Sequence, residues 1–400
     1  MAENIDVVVI GGGYAGVMAA NRLTQRDDVT VTLINPRPTF VHRVRLHQLV
    51  GGSDDAVVDF GDVLADGVRL VVDTVARIDA AGRSVTPASG GTIDYDYLIY
   101  AVGSGSADPQ VPGAAEHAYP IADLEDAERL RPALDAVSAS AAVTVVGAGP
   151  TGIETAAELA EGGHNVTLVC GGVLGPYLHP RGRRSVAGRL AKLKVTVLDG
   201  PGTMVTAVTR DAVRLADGRE LPSELTIWTA GFGVPDLAAR SGLRTDALGR
   251  LLTDETLTSV DDDRIVAAGD SAAPSDLPLR MSCQAAMPLG ARAADTVLSR
   301  IAGEQPAPLG MAFVAQCLSL GRSDGIFQKA SKTDVAQWFH IDGRPGARLK
   351  EVICKVIVKH LAEEAHKPGA YRLHRTASPA KRRQLLEANG KTLDPVGRVS

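Results

Sequence analysis

The chain has 400 residues, room for two or three domains of roughly 100–200 residues each. Aromatics make up only 4% while glycines number 42, a composition suited to βαβ units in which small side chains bring helices onto a sheet. The net charge is −5, the first strand begins by Ile5 with no basic-then-apolar leader before it, and no apolar run approaches the ~20 residues of a membrane span, so a cytoplasmic protein, soluble or peripheral at a membrane surface, is expected.

The first element is an apolar run, Val7-Val8-Val9-Ile10, that leads directly into Gly11-Gly12-Gly13-Tyr14-Ala15-Gly16. Gly11, Gly13 and Gly16 fill the G-x-G-x-x-G pattern in which one glycine makes the turn, one admits a pyrophosphate and one lets helix and strand pack closely. A helix over residues 17–26 and a second strand over 29–34 follow, and Asn35 closes that strand where a dinucleotide fold normally places an acid on the ribose. Asparagine still offers one donor and one acceptor side to ribose hydroxyls. Residues 40–47, with His42, Arg43, Arg45 and His47, bring charge to where a pyrophosphate or flavin edge would lie. Short strands and Gly/Asp turns run to Tyr95-Asp96-Tyr97-Leu98-Ile99-Tyr100-Ala101-Val102-Gly103.

The fingerprint then recurs. Val143-Thr144-Val145-Val146 leads into Gly147-Ala148-Gly149-Pro150-Thr151-Gly152, followed by a helix carrying Glu154 and a strand over 165–169. One such motif is a weak signal; two, each between a strand and a helix, imply two dinucleotides on one polypeptide and electron transfer between them. Further strands fall at 225–231 and 264–268, the latter ending in Gly269-Asp270. This order suggests one dinucleotide domain inserted in another, with residues 1–112 and 245–308 forming the first and 113–244 the second. Residues 309–400 form a separate C-terminal region, with a strand pair over 313–328 and then a helix whose Leu349, Val352, Ile353, Val356, Ile357 and Leu361 make an apolar stripe. Lys350, Lys355 and Lys359 lie off that stripe, and the last ~25 residues read as helix and then loose chain. Residues 344–400 carry 13 Lys/Arg against 5 Asp/Glu in a chain with 42 against 47, so a basic tail follows an acidic body. Such a tail suits anionic surfaces or the body itself, and the stripe suits lipid, a second subunit in a homodimer, or the chain's own core. No aromatic-interleaved basic platform argues for nucleic acid.

Cys170, Cys283, Cys317 and Cys354 are scattered singly, without the close pair that dithiol chemistry needs, and nine histidines show no metal-ligand spacing; no metal is expected.

Taken together, these motifs resemble the two-dinucleotide flavoprotein oxidoreductases, in the type II NADH dehydrogenase and apoptosis-inducing-factor-like branch. The resemblance covers residues 5–305 and extends beyond the glycine loops, to residues 95–103, to Trp228-Thr229-Ala230-Gly231 and to Val266-Ala267-Ala268-Gly269-Asp270. It implies an α/β fold of two Rossmann-like domains, an FAD domain with an inserted NAD(P)H domain, plus a C-terminal α+β region. It implies FAD on Gly11, Gly13, Gly16, Asn35, Gly103 and Asp270, and NAD(P)H on Gly147, Gly149 and Gly152, with Glu154 near the nicotinamide. Alternatively, Glu154 only complements the dipole of its helix. Gln284, in Met281-Ser282-Cys283-Gln284-Ala285-Ala286, resembles the start of a helix that faces the flavin, although Pro288 stands where quinone-reducing members carry a second Gln. Cys283 is either redox-active there or a small buried side chain.

NADH versus NADPH stays open. Cys170-Gly171-Gly172 replaces the usual acid, and Arg181, Arg183 and Arg184 follow nearby, where they suit a 2′-phosphate or a solvated turn. The resemblance implies an FAD-dependent NAD(P)H dehydrogenase that passes hydride to flavin and electrons to a quinone-like or other small organic acceptor. The rivals are a reductase of a ferredoxin-like carrier protein and an NADH-binding protein of the apoptosis-inducing-factor type with little turnover.

Overall fold

The computed structural model describes residues 4–310, 313–372 and 377–391. Two five-stranded parallel sheets organise the body. The first has the order Ile265–Ala267, Tyr97–Tyr100, Ile5–Ile10, Val29–Asn35, Val68–Val72, and the second the order Ala118–Pro120, Leu225–Trp228, Ala142–Val146, Asn165–Val169, Thr196–Leu198. In each, the strand that feeds a glycine loop is central, so its near-continuous β-branched run is buried on both faces. The fold is therefore the expected pair of Rossmann-like α/β units, with an α+β region after them.

The first sheet has a core on either face. One buries Val7, Val9, Leu33 and Ile99 beneath the helices Tyr14–Leu23 and Cys283–Ile301; the other buries Val8, Ile10, Leu98 and Tyr100 against Ile78, Val85 and Leu251. The two helices cross in near backbone contact, because a Cβ on Gly290 would lie 2.2 Å from the Ala15 carbonyl oxygen. The first helix starts at Tyr14 rather than near residue 17, since the glycine turn itself forms its cap.

The C-terminal region differs more from the expectation. It contains a three-stranded antiparallel sheet, Ala315–Ser319, Gly325–Ala330 and Ala336–Asp342, then the helices Gly343–His366 and Pro379–Ala388. The long helix buries Gly346, Lys350, Cys354, Ile357, Leu361 and Glu364, while Val352 and Val356 of the expected stripe face outward. Two charged residues thus lie on the buried face, and both are paired. Glu364 accepts from the Arg22 guanidinium at 2.9 Å with both side chains fully buried. Arg382, in the last helix, makes a bidentate pair with Glu255, each bond 2.9 Å, and also donates to the Leu277 and Pro274 carbonyls. These pairs hold the C-terminal region on the first sheet's layer, so the body itself covers the inward face of the long helix. Residues 392–400, where the sequence reads as loose chain, lie outside the described residues. Among the described residues no helix is long and apolar enough to cross a membrane.

Candidate active site

The two glycine loops have matching geometry. Gly11 has φ +101° and Gly147 φ +124°, conformations that disfavour side chains. A Cβ on Gly16 would lie 1.7 Å from the Gly11 carbonyl oxygen, and one on Gly152 would lie 1.9 Å from that of Gly147. A Cβ on the middle glycine, Gly13 or Gly149, meets nothing within 4 Å. Both middle glycines cap the helix that follows, so unobstructed space lies at two helix N-termini whose amides and dipole favour phosphate. The residues present thus fit a pyrophosphate at each loop.

Around the first loop, Asn35 is used inward. Its Oδ1 accepts from the Gly12 N–H at 2.8 Å and its Nδ2 donates to the Arg37 carbonyl at 2.8 Å. The side chain pins the glycine turn, which leaves the second lone pair of Oδ1 and the second N–H of Nδ2 as its remaining capacity for a ribose. Gly103 (φ +71°) has open space at its Cβ position. Beside it the Ser104 hydroxyl donates to Asp270 at 2.7 Å, the Ser282 N–H donates to the other Asp270 oxygen at 3.2 Å, and the Arg43 guanidinium lies 3.8 Å from the carboxylate. Four separate stretches of sequence therefore meet at Asp270. Ser282 also caps the helix Cys283–Ile301 by accepting from the Ala285 N–H. Gln284 Oε1 accepts from Val314 N at 3.2 Å, tying the start of that helix to the C-terminal region. Pro288 lies inside the helix and lacks the N–H that would otherwise bond the Gln284 carbonyl.

Glu154 is the fifth residue of the helix Pro150–Glu161, beyond its first turn, so it is not a simple complement to the dipole. It is 7% exposed and points at the C-terminal region, where Oε1 meets Lys350 Nζ at 2.9 Å and the Ser319 N–H at 2.8 Å. Lys350 also donates to the Cys317 carbonyl at 3.3 Å. Burial alone would raise the Glu154 pKa, but the Lys350 charge, then His47, the Lys350 hydrogen bond and the Ser319 N–H outweigh it and hold the carboxyl below its usual value. The same contest runs the other way for Lys350, whose pKa is raised by Glu154 despite burial. Lys350 is the residue that sequence reasoning missed; a lysine beside an apolar stripe reads as solvated, and its partner is nearly two hundred residues away.

His47 lies close enough to feel both members of this pair, and burial pushes its imidazole down to about 4. Neutral His47 is therefore the folded form, while the unfolded chain takes up a proton near pH 6.5. Stability is fully present above pH 6.5 and is lost as the pH falls toward 4, at up to about 1.4 kcal/mol per pH unit for this one group. Urea midpoints measured from pH 7 to pH 4.5 should fall, and a His47→Gln variant should show a shallower fall. An unchanged slope in the variant would remove His47 from the account.

The thiols do not pair. All four cysteines are free, and burial pushes Cys283 up to about 11 and Cys317 up to about 12, so both are neutral thiols rather than nucleophilic thiolates. Cys283 is half-buried and lies in the fields of Lys350 and Asp270. Among the described residues no group of His, Cys, Asp and Glu could hold a metal ion.

Two pyrophosphate cradles, one on each parallel sheet, with an aspartate clamped beside the first, define a flavoprotein oxidoreductase with two dinucleotide-binding domains. The comparisons agree. The chain belongs to the pyridine nucleotide-disulphide oxidoreductase family, whose model matches residues 5–290, and it is an oxidoreductase that uses FAD and NAD(P)H. It is 32% identical over 375 residues to an NADH dehydrogenase-like protein of Mycobacterium tuberculosis (strain ATCC 25618 / H37Rv), covering 87% of this chain and 92% of the relative. It is 29% identical over 351 residues to a type II NADH:quinone oxidoreductase of the same organism, covering 75% and 74%. Among solved structures it is similar in fold to the sulfide:quinone oxidoreductase of Aquifex aeolicus, with a TM-score of 0.78 at 20% identity over 96% of this chain and 95% of that one. NDH2 from Plasmodium falciparum in complex with NADH gives a TM-score of 0.72 at 16% identity, over 92% and 99%.

Proposed function

We propose that this protein is an NADH dehydrogenase that delivers electrons to a quinone-like acceptor, with FAD on the first glycine loop and the nicotinamide nucleotide on the second. The observation that carries this reading is the buried Glu154–Lys350 pair with His47 beside it. Reduction of a quinone to a quinol consumes two protons, whereas an iron–sulfur carrier protein takes electrons alone. The quinone oxygens carry negative charge until they are protonated, and a buried ammonium fixed by Glu154, its field reaching Cys283 at the start of its helix, suits that acceptor. Relatives named as NADH:quinone oxidoreductases support the same choice.

When bound, FAD supplies the two-electron chemistry. The chain's part is to place the reactants and to stabilise charge. Gly13 and Gly149 admit the two pyrophosphates, and Asp270, held by Ser104 and the Ser282 N–H, stands ready for the hydroxyls of the cofactor's sugar chain. Gln284, anchored through Oε1, keeps an amide N–H2 with no partner among the described residues, suited to an acceptor carbonyl. Lys350 keeps its proton against Glu154, and its ammonium, held in place by the carboxylate, stabilises negative charge developing on the acceptor oxygen. The division of the chain follows from this reading: residues 1–112 and 245–308 serve FAD, and 113–244 serve the nucleotide. Two further features support a place at a membrane surface, where quinones dissolve. Trp338 and Phe339 are exposed on the edge strand, and Val352 and Val356 face outward beside Lys355 and Lys359.

Anaerobic stopped-flow tests the proposal. NADH should bleach the flavin, and a soluble ubiquinone analogue should restore its colour within the turnover time. Recovery with a ferredoxin-like carrier and none with the quinone would overturn it.

A further inference from the structure

We propose that Asp199 is the residue that selects NADH over NADPH, acting from the neighbouring strand in place of the acid that Cys170 lacks. The proposal rests on the reading that the second glycine loop holds the nicotinamide nucleotide. Cys170 follows directly on the strand Asn165–Val169, at the point where a dinucleotide fold reads the adenosine ribose. The Cys170 N–H donates to the Leu198 carbonyl at 2.8 Å and the Gly200 N–H donates to the Gly172 carbonyl at 2.6 Å. These two bonds bracket Asp199 and fasten it beside Cys170-Gly171-Gly172. Its charge is felt at the Cys170 thiol, which burial and Asp199 together push up to about 12. Above this turn there is room, because a Cβ on Gly171 or Gly172 meets nothing within 4 Å.

Asp199 is exposed, and no hydrogen bond or ion pair engages its carboxylate among the described residues. It is free to accept from both hydroxyls of a ribose, and it repels a 2′-phosphate. The arginines that would welcome that phosphate are largely committed elsewhere. Arg181 stacks over the Trp338 ring at 5.7 Å, and Arg183 turns back to the Leu178 carbonyl at 3.4 Å. Arg184 is left as the only one of the three that is exposed and without a partner among the described residues. Cys170 itself is a neutral thiol and discriminates little.

The test is the ratio of kcat/KM for NADH to that for NADPH in the wild type, Asp199→Asn and Arg184→Gln. The wild type should prefer NADH. Asp199→Asn should lower that ratio by roughly ten- to hundredfold, the weight of a charged hydrogen-bonded pair, through KM for NADH with kcat nearly unchanged. A residue that only supported the fold would move both parameters for both nucleotides. An unchanged ratio in Asp199→Asn would overturn the assignment. So would a wild-type preference for NADPH that is lost in Arg184→Gln. Failure of either nucleotide to bleach wild-type flavin would instead remove the nucleotide reading beneath it, so the two failures are distinguishable.

Discussion

Replacing Lys350 by Met is expected to destabilise the protein by about 3–5 kcal/mol, the usual cost of removing one partner of a buried ion pair. Glu154 is 7% exposed, and without the ammonium it would keep only the Ser319 N–H and the weak influence of a neutral His47. Burial, the largest influence on this carboxyl, would then act unopposed by its strongest counterweight, and the Glu154 pKa would move upward. The double variant Lys350→Met/Glu154→Gln should recover much of the loss, because neither charge is then stranded. Urea denaturation of the single and double variants gives the coupling directly, and additive costs would show that the pair is not a unit. Kinetics separate the structural part from the functional part. Flavin bleaching by NADH should survive in the variant, while re-oxidation by quinone should slow on the order of 100-fold, the range for loss of one group that stabilises a developing oxyanion. Equal slowing of both half-reactions would mean that Lys350 serves only to hold the C-terminal helix against Glu154.

Most of the fold was legible in the sequence, for a local reason. A glycine fingerprint places strand, turn and helix within a dozen residues, and the atoms nearest a side chain at Gly16 and Gly152 are the carbonyl oxygens of Gly11 and Gly147 in the same loops. The position of Asp270 was legible for a related reason, since it follows the buried strand Ile265–Ala267 beside the first loop. The C-terminal region was less legible because its order rests on long-range pairs. The third strand, Ala336–Asp342, carries Trp338 and Phe339 toward solvent and lacks clean alternation, and it is fastened by the buried Gln328 amide, which donates to the Gln337 and Phe339 carbonyls. Likewise, the inward face of the long helix is not its most apolar face. Lys350 and Glu364 are tolerated there only because Glu154 and Arg22, far away in sequence, arrive to pair with them. An apolar-periodicity reading has no access to that compensation, so it rotated the helix toward Val352 and Val356. For Asn35 the sequence showed the position at the strand end but not the hydrogen bonds that its amide makes to the loop backbone.

The duplicated cradle makes the two cofactor assignments separable, through the variants Gly16→Ala and Gly152→Ala. In each, the new methyl would lie within 2 Å of a backbone carbonyl, 1.7 Å for Gly16 and 1.9 Å for Gly152, so the helix must retreat from the strand. The nearest atom is backbone at both sites and cannot swing aside, and forced repacking of this kind costs typically 1–3 kcal/mol or more. The effects should nonetheless differ in kind. Gly16→Ala disturbs the loop beneath FAD, and the purified protein is expected to be largely colourless. Its melting temperature should fall further than the packing cost alone, since a tightly bound ligand adds its own stabilisation. Gly152→Ala disturbs only the second loop. That protein should remain yellow, be reduced by dithionite and be re-oxidised by quinone as before, while kcat/KM for NADH falls on the order of 100-fold, a loss of about 2.7 kcal/mol at the transition state. If Gly152→Ala came out colourless and Gly16→Ala stayed yellow, the two nucleotides would have to exchange places. If both were colourless, the two sheets would be one cooperative unit in which neither loop can be disturbed alone, and the first sheet's hold on FAD would depend on contacts that cross between them, such as the antiparallel pairing of Gly105–Ser106 with Phe232–Gly233.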